Sequence, residues 1–165
     1  MRVLLTVLCA GVLLASHTLA QQPADTLPAP AWVSVEAALA EAKEREAKTM
    51  VFVYTEWCGY CRKTTRDVHS NDEVLDILNT HFAVTRLDAE SEAPVTFKGI
   101  EATEAELAQA LGASGFPTTV FLDAEGNYIS KLPGYLPADQ FQTILAYIAE
   151  DAFKEQSYEE FVAGR

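Results

Sequence analysis

A chain of 165 residues, 49% apolar and 22% charged, is long enough to bury one hydrophobic core and too apolar to be disordered. Its formal charge of −12 argues against nucleic acid and anionic membrane surfaces as partners.

Residues 1–20 read as a secretory leader. Arg2 gives the positive start, Val3 to Leu14 the apolar run, and Thr18-Leu19-Ala20 a small-residue cleavage site before Gln21. An uncleaved anchor is the alternative, but the run is shorter than the roughly 20 residues a spanning helix needs. No basic stop-transfer cluster follows it. The expectation is a periplasmic or otherwise extracytoplasmic protein with no stable membrane insertion after cleavage. Cys9 lies inside the apolar part of the leader and is assigned no function. Residues 21–31 hold Pro23, Pro28 and Pro30 and read as a flexible spacer. Residues 32–165 form the domain, with a helical extension at its C-terminal end.

From Ser34, a good N-cap, Val35, Ala38, Leu39 and Ala42 recur at helical spacing. Met50-Val51-Phe52-Val53-Tyr54 is a short apolar run that suits a central strand covered on both faces. Directly behind it stands Glu56-Trp57-Cys58-Gly59-Tyr60-Cys61, which carries the chemistry. A C-x-x-C pair after a buried strand and before a helix reads as a thiol–disulfide site. A helix starting at Cys58 puts that sulfur beside free backbone N–H groups and the positive end of the helix, which favour a thiolate. Cys61, one turn in, is more shielded and acts second. Zinc is a weaker reading, because there is no second C-x-x-C and His69 and His81 lack ligand spacing. Both histidines read as surface or satisfied side chains, and no metal is expected. An inert staple is weaker too, since so short a loop constrains the unfolded chain little.

Beyond the motif, Arg62, Lys63 and Arg66 continue its helix, and a second helix runs from Asn71 or Asp72 to Asn79 with Val74, Leu75 and Leu78 inward. Phe82 to Asp88 is a strand, and a long irregular loop follows through Pro94 and Gly99. Thr103 and Glu106 form a capping box for a helix ending near Gly112. Gly115-Phe116-Pro117-Thr118 then opens a strand to Leu122, where a proline belongs because it cannot donate to the ladder. Asp123–Asn127 turns the chain into a returning strand, Tyr128 to Leu132. A helix from about Pro137 carries Phe141, Ile144, Leu145 and Ile148, and Ser157 with Glu160 suits a last capping box.

On Glu56–Cys61 after a strand, Gly115–Thr118 downstream, and Gly126 and Gly134 beyond, the chain resembles the thioredoxin superfamily over about Ser34 to Ile148. Within it, the chain looks most like exported proteins of the SoxW type and the soluble thiol-reductase domain of the electron carrier DsbD. The resemblance implies an α/β thioredoxin fold, a central mixed sheet with helices on both faces. It implies a cis Pro117 beside the sulfurs and a Phe116 backbone that pairs with an extended substrate. Thioredoxins carry a buried aspartate six residues before the first cysteine, and here that position is Phe52. Glu56 is then the nearest candidate for moving the Cys61 proton, while Trp57, Gly59 and Tyr60 shape or shield the site.

The expected function is a monomeric thiol–disulfide oxidoreductase that reduces protein disulfides through Cys58 and Cys61, without metal or organic cofactor. An oxidising compartment implies a membrane-embedded electron donor. The alternatives are a disulfide oxidase or isomerase, and a non-catalytic binding module or chaperone.

Overall fold

The computed structural model describes residues 27–165. The expected leader, 1–20, and the first part of the expected spacer lie outside the described residues. The end of that spacer is packed rather than free. Pro30 is buried, its carbonyl accepts the Trp32 N–H at 2.9 Å, and Trp32 packs against the core.

Helix α1 (Val35–Arg45) starts where the Ser34 side chain accepts the Ala37 N–H. It buries Val35, Ala38 and Ala42, with Leu39 only partly covered. Strand β1 (Lys48–Tyr54) follows, its five central residues all buried. Helices α2 (Gly59–Asp67) and α3 (Asp72–His81) then carry the chain over to β2 (Phe82–Asp88). Asn71 caps α3 by accepting the Val74 N–H, and α3 buries Val74 and Leu78 while Leu75 is only half-buried. A crossover of this length is what two parallel neighbours require.

The residues Ala89–Ala102, expected as an irregular loop, contain a hairpin instead: β3 (Pro94–Phe97) paired antiparallel with β4 (Ile100–Thr103). Lys98 and Gly99 between them both have positive φ, 53° and 81°, the backbone a tight two-residue hairpin needs. Of its strand residues only Val95 is fully buried, so the hairpin shows almost no apolar alternation. The Thr103–Glu106 capping box opens α4 (Glu104–Ala110). Strands β5 (Thr118–Leu122) and β6 (Tyr128–Pro133) precede α5 (Ala138–Ala149), a 3-10 turn and α6 (Tyr158–Ala163), which starts with the Ser157–Glu160 capping box.

The main sheet has the order β2-β1-β5-β6, with β1 parallel to β2 and antiparallel to β5, and β5 antiparallel to β6. Alternation along β1 splits the core. Met50 joins Val68, Leu78, Phe121 and Leu145 on one face. Val51 and Val53 join Val35, Leu87 and Leu107 on the other. The sheet is therefore helix-covered on both sides, and the C-terminal end of β1 delivers the motif between them.

Candidate functional site

At the end of β1 the Thr55 carbonyl accepts the Cys58 N–H at 3.1 Å, which turns the chain into α2. Cys58 is the N-cap residue, and its sulfur accepts the Cys61 N–H at 3.0 Å. Cys58 and Cys61 are disulfide-bonded with Cα atoms 5.2 Å apart, and only 4% and 3% of their surfaces are exposed. When the bond is reduced, that N–H and the helix end stabilise a thiolate on Cys58. Gly59 is the first helical residue.

One side of the disulfide is aromatic and open. Trp57 and Tyr60 are each 64% exposed. The Trp57 indole donates to the Glu90 carboxylate at 2.9 Å, and its ring meets Phe116 edge-on at 6.2 Å. The Phe116–Pro117 peptide bond is cis, and the Pro117 carbonyl accepts the Gly134 N–H at 2.8 Å. Tyr135, next along, lies 6.4 Å from Tyr60, ring to ring, and its hydroxyl accepts from Lys63 at 2.9 Å. Lys63 also pairs with Asp67 at 2.6 Å. Hydrogen bonds from Arg66 and then Lys63 hold the Asp67 carboxyl below its usual range.

The other side is closed by Phe52, which packs with both cysteines and with Trp32 and Tyr54. Behind Phe52 stands His69, edge-on at 4.6 Å, with Trp32 and Phe141 also against its ring. The expectation of a surface or satisfied histidine fails for His69. It is fully buried and neither ring nitrogen has a hydrogen-bond partner among the described residues. Burial pushes its pKa down to about 4, so the ring is neutral at ordinary pH. His81 is exposed. A cleft of about 330 Å³ opens on this side, lined among others by Phe52, Tyr54, Cys61, Arg62 and Arg86. Glu56 is exposed at its edge, and Arg62 Nη1 donates to the Glu56 backbone carbonyl at 2.9 Å. The Glu56 carboxylate itself makes no hydrogen bond to either cysteine among the described residues.

A thioredoxin-like domain is matched over residues 35–149. The chain belongs to the thioredoxin-like family. It is 30% identical over 122 residues to the thiol:disulfide interchange protein DsbD of Yersinia pestis (strain Pestoides F), which covers 73% of this chain. The chain spans only 18% of the length of that relative. A thioredoxin-fold protein from Helicobacter pylori superposes with a TM-score of 0.65 at 24% identity, over 72% of this chain and 80% of its own. The oxidised C-terminal domain of Neisseria meningitidis DsbD superposes at 0.51 and 19% identity, over 68% and 94% respectively. This thioredoxin-like protein thus carries a C-x-x-C disulfide at the C-terminal end of the motif strand, on the frame it shares with the matched segment of DsbD.

Two contacts of this thioredoxin-like site have no signal in the sequence. Glu90 reaches Trp57 across 33 positions, and Tyr135 reaches Lys63 across 72. Each depends on loops that only the folded sheet brings together. His69 lies beyond the end of α2, whose buried residues are Cys61 and Thr64, so helical spacing gives no sign of its burial.

Proposed function

We propose that the protein works outside the cytoplasm as a monomeric reductant of protein disulfides, with Cys58 as nucleophile and Cys61 as resolving thiol. The observation that carries this reading is the Cys58 sulfur at the helix cap, held by the Cys61 N–H beside exposed Trp57 and the Phe116–Pro117 segment. The leader-like residues 1–20 support export, and DsbD relatives support a membrane-embedded dithiol carrier as electron donor.

The exchange needs two thiols and no further group. Cys58 thiolate attacks one sulfur of the partner disulfide, forming a Cys58–partner bond and releasing the other partner sulfur as thiolate. Cys61 gives up its proton and attacks the Cys58 sulfur. The second partner sulfur leaves, two electrons have passed to the partner, and the Cys58–Cys61 bond has formed. Trp57, Tyr60, Gly59 and Phe116 wall the approach to Cys58, and the Phe116 backbone offers hydrogen bonds to an extended partner. Glu56, at the cleft edge and unbonded to sulfur, serves Cys61 at most through solvent.

The direction of flow is tested by equilibrating the Cys58–Cys61 pair with dithiols of known potential. A reductant lies at or below about −200 mV, whereas a value near about −120 mV is that of a strong oxidant and would contradict the reading. An insulin-reduction assay separates both from a binding module, which gives no turnover.

A further inference from the structure

The cleft beside Cys61 is basic in a chain that is otherwise acidic. Twelve basic side chains face twenty-four acidic ones overall, yet Arg62, Arg66 and Arg86 line this one cleft with Glu56 as its single carboxylate among the described residues. Among the described residues, two of the three guanidiniums are uncommitted to acids. Arg66 is spent on Asp67 at 2.7 Å. Arg62 donates to the Glu56 backbone carbonyl, and its other terminal nitrogen lies 3.9 Å from where a Cβ on Gly59 would sit, over the motif itself. Arg86 lies 5.7 Å over the Tyr54 ring and makes no ion pair among the described residues. It faces the cleft from the neighbouring strand, in register with Phe52. Thr55, also on the lining, is 1% exposed and its hydroxyl has no hydrogen-bond partner among the described residues.

We propose that this arginine-rimmed cleft docks an acidic, extended segment flanking the disulfide of the partner protein. The inference rests on the redox reading above and names a class of substrate for the same site. Guanidinium forks suit carboxylates, and the aromatic floor of Phe52 and Tyr54 suits the aliphatic stem of a glutamate. The cleft adjoins Cys61, so a partner joined at Cys58 carries its flanking residues to the rim. The surrounding negative charge repels acidic surfaces elsewhere, which confines attraction to this one edge.

The test uses two disulfide-linked peptides that differ only in one flank, Asp-Glu-Asp against Asn-Gln-Asn. Their second-order rates of reduction by the reduced full-length protein are measured by stopped flow. The acidic peptide should react about tenfold faster at low salt, the joint effect of two exposed ion pairs. The preference should shrink towards parity at about 0.5 M salt. Arg62→Gln with Arg86→Gln should bring the ratio close to one, and Arg86→Lys should retain most of it. Equal rates for the two peptides, or a preference that survives both neutralisations, would overturn this inference alone. No exchange with either peptide would overturn the redox reading and this inference with it.

Discussion

The two sides of the Cys58–Cys61 bond are built on opposite terms. On the Trp57 side, large aromatic surfaces stand in solvent, held by single contacts from Glu90 and Phe116. On the Phe52 side, a buried aromatic wall encloses a neutral histidine, and arginines line the cleft in front of it. The first arrangement suits recognition of a partner, because exposed aromatics gain most when a second surface covers them. The second walls the inner face of the disulfide with aromatic rings and leaves Cys61 at the edge of a cleft that carries arginines. Reactivity in this reading comes from the helix cap acting on Cys58, not from a buried acid acting on Cys61.

Breaking the bond itself should have the largest effect. Cys58→Ser should reduce insulin turnover to background while the melting curve stays close to that of the reduced wild type, since the attacking thiolate is gone. Substantial turnover by this variant would assign the first attack elsewhere.

Next comes a charge placed in the aromatic wall. Phe52→Asp should cost about 3 kcal/mol of stability in urea melts at pH 7, because the ring packed on both cysteines and His69 is lost and the buried acid must recruit Arg86 from the cleft or protonate. A cost below about 1 kcal/mol would show that water already reaches this face. In the folded variant, Cys61 should resolve mixed disulfides faster at neutral pH.

His69 sharpens the contrast through pH. Unfolded, it takes up a proton near pH 6.5; folded, only near about 4. Between those values the unfolded chain binds more protons, so stability falls as pH drops from about 7 to about 4 and levels off below. The loss from this one group is of order 3 kcal/mol. His69→Leu should flatten that part of the stability curve, and an unchanged slope would place the titration on other groups.

The smallest effect belongs to the open side. Glu90→Gln keeps an acceptor for the Trp57 indole, so peptide reduction should change by no more than about threefold, whereas Glu90→Ala frees the ring. Trp57 fluorescence should report the difference directly.

Much of the frame was legible in local chemistry. Ser34, Asn71, Thr103 with Glu106, and Ser157 with Glu160 start helices because short polar side chains satisfy open N–H groups, a rule that needs only neighbours. The apolar runs Met50–Tyr54 and Thr118–Leu122 signal the two central strands for a similar reason. The hairpin over residues 94–103 was not legible, because it buries only Val95 and turns on Lys98 at positive φ, a conformation that lysine rarely adopts. His69 was misread because its apolar cage comes from Trp32, Phe52 and Phe141 on three separate parts of the chain. The basic cleft was hidden likewise: Arg62 and Arg66 look like a solvated helix face until β2 brings Arg86 beside them.

The central claim is that Cys58 attacks and Cys61 resolves, and intact-mass analysis of Cys61→Ala tests it most directly. Mixed with a disulfide-bonded peptide, this variant should accumulate one covalent adduct per chain, mapped to Cys58 and lost on adding reductant. Absence of any adduct, with the fold intact and Cys58 reduced, would contradict the account.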